Sequence, residues 1–374
     1  MQIGRITLQQ IRLRLVEPFR ISSGQTHDRS ILLVKIDDDG TRGYGECVAG
    51  ETPHYSYETV DTARLILERY LIPAVLGRRF DSARDLAAAL DRAAKGHRMA
   101  KAALEMAAWD LEAKQRGLSL ARLLGGVRDA VPAGVSIGIQ PDIDTLLERI
   151  DAFAAEGYRR IKLKITHGWD ESVLDRVRAR FPDLPLTVDA NAAYDPAEIR
   201  HLLALDRFDL DMIEQPFGAD ELLAHAELQK ELHTAICLDE SITTTGRCAE
   251  ALFLGSGRIV NIKPGRVGGH AASIRIHDLC ADADVPVWCG GMLESGIGRA
   301  HNVALASLPN FRLPGDTSAS RRYWTRDVVH PAFELRPDGT LSVPDRPGIG
   351  IDVDEEFLAS IQDDAAVFTA SRPI

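Results

Sequence analysis

Hydrophobic and polar positions along this chain change their period twice, and each change marks a different kind of structure. Residues 3–15 alternate loosely. Residues 30–37 read as a strand, Asp38-Asp39-Gly40 as a turn and residues 41–48 as a returning strand, which predicts a hairpin. From residue 57 to 76 the pattern turns helical. A longer helix is expected over 99–116, where Ala103, Met106, Ala107, Asp110, Leu111 and Lys114 recur near the helical period before Gly117. Strands followed by segregated helices predict an α+β unit over residues 1–125.

After Gly125-Gly126 short apolar runs alternate with helical stretches. The runs are 131–139, 160–165, 184–191, 210–216, 235–241, 259–264 and 285–291, and the helical stretches between them include 145–156, 197–205, 222–232 and 271–283. This βαβα order predicts a parallel sheet. Seven runs, with an eighth near 311–313, fit a TIM-type (β/α) barrel over 126–320. A doubly wound sheet is the runner-up, disfavoured because no GxGxxG turn is present. Residues 329–343 read as strand, turn and strand around Pro337-Asp338-Gly339. The segment 321–374 is expected to leave the barrel and return to the first unit.

Composition narrows the function classes. A net charge of −11 argues against nucleic acid and anionic membrane as partners. No window approaches the roughly 18 apolar residues of a membrane span, and the start of the chain lacks a secretory pattern. Cys47, Cys237, Cys248, Cys280 and Cys289 form no CxxC pair, so buried reduced thiols in a cytoplasmic protein are expected.

Lys164, Asp189, Glu214, Asp239 and Lys263 fall at intervals of 25, 25, 25 and 24 residues, each near the end of an expected strand. A fixed period of this size is one strand plus one helix, which brings all five residues to the catalytic rim of a barrel. Any one acid alone reads as a helix cap or a salt-bridge partner. Three carboxylates from adjacent strands repel unless a cation neutralises them, and all-oxygen ligation suits Mg²⁺, with Mn²⁺ as a substitute. Lys162 and Lys164 share a strand face. Two ammonium groups there are expected to depress each other's pKa and make a base near neutrality. Lys263 should face Lys164 across the mouth. Such a set is similar to enolase-superfamily sites, which pair a Lys or His base with Mg²⁺, and that resemblance implies removal of a proton next to a carboxylate, with lysines on opposite faces and a metal on the two carboxylate oxygens.

At KLK 162–164, VDAN 188–191, IEQP 213–216, LDES 238–241 and NIKPGRVGG 261–269, the chain resembles the muconate-lactonizing subgroup of the enolase superfamily. GHRMAKAALEMAAWD at 96–110, WCGGMLESGIGRAHN at 288–302 and LPNFRLPGDTSAS at 308–320 narrow the resemblance to the o-succinylbenzoate synthase / N-succinylamino acid (N-acylamino acid) racemase family. The resemblance implies a capping domain over the barrel and Mg²⁺ on Asp189, Glu214 and Asp239. It implies Lys164 and Lys263 as the acid/base pair, with Lys162 polarising the substrate carboxylate and tuning Lys164. Asn191 and Glu240 would support the metal and base. Ser136, Gly291 and Met292 would line the succinyl pocket, and Phe19 and Tyr55 would cover the substrate from two capping loops. Gly50 stands where relatives often carry a bulky apolar residue. The implied reaction is dehydration to o-succinylbenzoate, racemisation of N-succinylamino acids, or both. A dipeptide epimerase or muconate cycloisomerase is the alternative, and a non-catalytic binding protein is a third reading. A small-molecule carboxylate as substrate and a homo-oligomer complete the expectation.

Other residues take plainer readings. His97, His167, His225 and His301 have no metal-ligand spacing and are read as hydrogen-bonded structural or surface groups. Gly265 to Gly269 open a helix and could hold an anion, but a tight turn with room for substrate is the preferred reading. Met106 and Trp109 are assigned to the core.

Overall fold

The computed structural model describes residues 1–370. The last four residues of the expected C-terminal segment lie outside the described residues. Three antiparallel strands open the chain: β1 (Arg5–Ile21), β2 (Gly24–Asp38) and β3 (Thr41–Cys47). The 30–48 hairpin is present, but β1 runs past Leu15. Its pairing with β2 lapses after Arg14 and resumes at Phe19, which sits opposite Thr26. Pro18 lies in the gap, and proline cannot donate to a ladder. The turn between β1 and β2 reaches loops of the second half of the chain, where Ile139 N donates to Arg20 O at 2.9 Å and Ser22 Oγ to Asn191 O at 3.3 Å.

The helix expected over 99–116 spans Arg98–Gln115. It is buried all round from Met99 to Ala113, Met106 and Trp109 included. Gly43 and Gly45 of β3 permit this. A Cβ at either would stand 2.1 or 2.0 Å from the carbonyl oxygen of Ala107 or Ala103, so strand and helix backbones touch.

The expected run 131–139 divides into β4 (Ala130–Pro132) and β5 (Gly134–Ile137). Then come β6 (Arg160–Lys164), β7 (Leu186–Asp189), β8 (Met212–Glu214), β9 (Ile236–Leu238), β10 (Ile259–Ile262) and β11 (Val287–Cys289). β5 to β11 form one parallel sheet in sequence order. The intervening helices carry local start and stop signals. Asp142 accepts from Thr145 N at the start of Ile143–Glu156, and Gly157 ends that helix at φ 94°. Residues 311–313 form no strand, because Pro309 and Pro314 flank them and lack N–H groups. Single bridges instead join Phe311 to Val287 and Gly315 to Ala133, so one segment ties to both edge strands.

The tail carries β12 (Val329–His330), β13 (Thr340–Ser342), β14 (Asp352–Val353) and β15 (Gln362–Thr369). Strands stand on both sides of the turn expected around Pro337-Asp338-Gly339, but they do not pair with each other. β13 pairs with β4, burying Leu341 against Val131, while β12 pairs with β14. The turn is present, with Gly339 N on Arg336 O at 2.9 Å, but burial with a distant strand wins over the local partner. β15 pairs antiparallel with β1, from Arg5 opposite Thr369 to Ile11 opposite Gln362.

Candidate active site

Lys164, Asp189 and Glu214 are the last residues of β6, β7 and β8 and stand level, since Lys164 pairs with Asp189 and Asp189 with Glu214. Beyond them the ladder climbs. Glu214 pairs with Cys237 and Val260 with Leu238, which sets Asp239 and then Lys263 each two residues higher. An even shift keeps every side chain on one face, so the near-constant interval delivers all five residues to the same interior.

Each acid meets a base there. Lys164 Nζ lies 2.6 Å from both Asp189 Oδ2 and Asn191 Oδ1. Lys162 Nζ lies 2.7 Å from Glu214 Oε2, 3.1 Å from Asp189 Oδ2 and 2.6 Å from Asp316 Oδ2. Lys263 Nζ donates to Asp239 Oδ2 and to Tyr55 Oη, both at 2.8 Å. Arg266 Nη1 holds Asp239 Oδ1. Asn191 Nδ2 donates to Glu240 Oε1 at 2.8 Å, and Asn261 Nδ2 to Glu214 Oε1 at 2.8 Å.

A cavity of about 640 Å³ opens above these groups. Lys162, Lys164, Lys263 and Asn191 line it, with Ser136, Gly291, Met292, Phe19 and Tyr55. Asp189, Glu214, Asp239 and Glu240 lie beneath, behind the lysines and Asn191. Ser136 Oγ is buried without a partner. Tyr55 comes from the irregular segment before the helix Val60–Ile66. Phe19 does not lie on a loop: it belongs to β1, with Lys164 Nζ 6.0 Å from its ring centre. Gly50 also borders the cavity, and a Cβ there would meet nothing nearer than 3.7 Å.

Electrostatics distinguish the acids. Burial opposes the charge of Asp189, but Lys164 and Lys162 outweigh it and hold the carboxyl well below its usual range. Arg266 and Lys263 do the same for Asp239 against the same burial. Glu214 is pushed up to about 8 by burial and by Asp189, and Glu240 to about 7 by burial and by Asp239. The mutual depression expected for Lys162 and Lys164 is corrected at Lys162. Burial lowers its pKa, but Asp316, Glu214 and Asp189 together raise it well above the ordinary value.

Among the described residues no three His, Cys, Asp or Glu side chains are already arranged to hold a metal ion. Lys162 bridges Asp189 and Glu214, while Lys263 and Arg266 occupy Asp239. The donor set nonetheless fits a hard divalent cation: all ligands are oxygens, and Glu214 Oε2 is drawn to the nearest positive charge.

Sequence reasoning singled out neither Arg266 nor Asp316, although both lie inside motifs it quoted. Asn261 was likewise passed over. Their spacing carries no period, so only the fold shows that they reach the carboxylates and Lys162. The GRVGG reading changes as well. A Cβ at Gly265 would meet Val48 at 2.5 Å and one at Gly269 would meet Glu105 at 2.1 Å, so these glycines make room for the protein itself. The helix they open does hold a carboxyl group, that of Glu105, through His270 N at 2.9 Å and Ala271 N at 2.8 Å. His167, His225 and His301 are hydrogen-bonded, whereas His97 Nδ1 is buried without a partner. All five cysteines are buried and unbridged. Among the described residues no helix is long and apolar enough to cross a membrane.

Comparison with known proteins adds independent findings. Residues 5–125 match the mandelate racemase / muconate lactonizing enzyme N-terminal domain, and residues 145–357 the enolase C-terminal domain-like family. The o-succinylbenzoate synthase of Geobacillus kaustophilus is 49% identical over 367 residues, 98% of this chain and 97% of its own. The N-succinylamino acid racemase of Thermus thermophilus is 47% identical over 361 residues, 96% of this chain and 97% of its own. A crystal structure of an enolase-superfamily member from Listeria innocua superposes with a TM-score of 0.94 at 40% identity, covering 99% of each chain.

Proposed function

We propose, because this chain belongs to the o-succinylbenzoate synthase and N-succinylamino acid racemase family of the enolase superfamily, that the cavity takes a small carboxylate and removes the proton α to it. The carrying observation is that Lys164 ends β6 and Lys263 follows β10, four strands on, each on its own carboxylate, at the wall of one cavity. Residues 1–125 with β15 of the C-terminal segment act as a cap over a TIM-type barrel of residues 126–320, while β13 of that segment packs on the barrel unit through β4. The segment that ties to both edge strands supports that closure. A homo-oligomeric, cytoplasmic enzyme belongs to the same proposal.

Lys164 takes the α-proton, and the C–H electron pair moves onto the substrate carboxylate. Lys162, fixed as a cation, meets the charge that grows there. For racemisation Lys263 returns a proton to the opposite face and Lys164 keeps the one it took. For dehydration Lys164 gives its proton to the departing hydroxyl, which leaves as water, and Lys263 serves by its charge. Tyr55 accepts from Lys263 and fixes its direction, and Asn191 does the same for Lys164. Asp189, Glu214 and Asp239 would hold Mg²⁺, which would supply electrostatic stabilisation of the two carboxylate oxygens. Phe19 and Tyr55 exclude water from above, and Ser136, Gly291 and Met292 receive the acyl arm.

The test is purified protein with Mg²⁺, assayed in parallel on the cyclohexadiene carboxylate precursor of o-succinylbenzoate and on a panel of N-succinylamino acids. Turnover of either class supports the proposal. Failure on both, by folded and metal-supplied protein, refutes it.

A further inference from the structure

Arg160, Lys162 and Lys164 occupy alternate positions of β6 and project three cations into one interior, about 7 Å apart along the strand. Each needs a counter-charge. Arg160 has one, Asp316: Arg160 Nη2 lies 2.5 Å from Asp316 Oδ1. The other oxygen of that carboxylate, Oδ2, lies 2.6 Å from Lys162 Nζ. Asp316 thus bridges two like charges on the same strand.

Its own position is fixed by backbone. Asp316 N donates to Cys289 O at 2.9 Å, and Gly134 N donates to Gly315 O at 2.6 Å. The carboxylate is therefore delivered from the segment that joins the two sheet edges. Trp288, fully buried, supplies a floor beneath both cations, its ring centre 4.1 Å from the Arg160 guanidinium and 4.8 Å from Lys162 Nζ.

Lys162 is shared by three carboxylates, two of which, Asp189 and Glu214, are proposed cation ligands. A side chain that can lean on either set competes with the cation whenever it leans on the ligands. We propose that Asp316 is a positioning residue: with Arg160 and Trp288 it draws the Lys162 ammonium to the cavity wall and so leaves Asp189 and Glu214 open to a divalent cation. This rests on the metal reading given above. Asp316 borders the same cavity, and the role assigned to it acts through Lys162.

The experiment is calorimetric titration of Mg²⁺ into substrate-free protein, for wild type, Asp316→Asn, Lys162→Met and the double variant, with melting temperatures measured alongside. Asp316→Asn should weaken Mg²⁺ binding by about tenfold or more, the range typical of residues that orient metal ligands. Lys162→Met should not weaken it, since the competitor is gone. In the Lys162→Met background, Asp316→Asn should have little further effect. In turnover, excess Mg²⁺ should restore much of the kcat of Asp316→Asn. An equal loss of affinity in both backgrounds, or wild-type affinity in Asp316→Asn, would overturn the proposal. Should Asp316→Asn fail to fold, weaker Mg²⁺ binding by Lys162→Met alone overturns it, and unchanged or tighter binding supports it. Wild type that takes up no Mg²⁺ brings down the metal reading and this proposal together, a result separable from the others because it needs no variant.

Discussion

Gly290 follows β11 directly beneath Lys263, and replacing it with alanine is a selective attack on one side of the site. A Cβ there would stand 2.6 Å from Lys263 Cε and 2.3 Å from Asn261 Oδ1. Carbon atoms rest at about 3.5–4.0 Å, so the Lys263 stem must retreat by roughly 1 Å. A displacement of that size at a reacting group costs about 100-fold in rate, equivalent to about 2.7 kcal/mol in the barrier. Overpacking itself should cost about 1–3 kcal/mol of stability, short of unfolding. Lys164 keeps both its partners, Asp189 and Asn191. The assay is washout of the α-hydrogen in heavy water at saturating Mg²⁺, followed separately for each enantiomer of an N-succinylamino acid. Exchange of the enantiomer facing Lys164 should persist near the wild-type rate. Exchange of the other, and racemisation with it, should fall by about two orders of magnitude. An equal loss for both enantiomers would place the effect on Asn261 and Glu214 rather than Lys263 and refute the reasoning.

Chelation should abolish turnover and added Mg²⁺ or Mn²⁺ should restore it, with Glu214→Gln behaving like the chelated protein while melting as a folded one; full activity at verified zero metal content would sink the cation assignment. Alanine at Phe19 or Tyr55 should reorder the preference between short and bulky substrates more than it lowers the melting temperature, and an unaltered ranking with a large drop in Tm would make them packing residues. His225 is buried, with Nδ1 on Glu221 O at 2.7 Å and Nε2 accepting from Phe217 N at 3.3 Å, and burial pushes its pKa down to about 4. The unfolded chain takes up that proton below about pH 6.5 and the folded one does not until about 4, so stability is lost as pH falls through this window, by about 2 kcal/mol between pH 7.5 and 5. Urea denaturation at both pH values should show a smaller loss for His225→Gln, and equal losses would refute the assignment.

What the sequence made legible was whatever repeats. The strand-to-strand interval recurs because each unit is built alike, so Lys164, Asp189, Glu214, Asp239 and Lys263 could be placed on one rim from spacing alone. Partners outside the repeat could not. Arg266 reaches Asp239 from the short helix Pro264–Val267 after β10, and Asp316 reaches Lys162 from the irregular segment just past Pro314, where no period operates. The helix Arg98–Gln115 was legible in position but not in surroundings, because burial on every side comes from the two glycines of β3 that let backbones touch. The partners of the tail strands were hidden for a related reason. Local turn chemistry at Asp338-Gly339 is real, but the choice of strand partner is decided by which distant apolar residue, here Val131, is available to bury Leu341.

The pairing of β15 with β1 sets Arg5 opposite Thr369, so the first and last strands of the chain are neighbours. During synthesis, β1 must wait with one edge of backbone donors and acceptors open until residues 362–369 have been added. A chain stopped before Gln362 leaves that edge free to recruit a strand from another molecule.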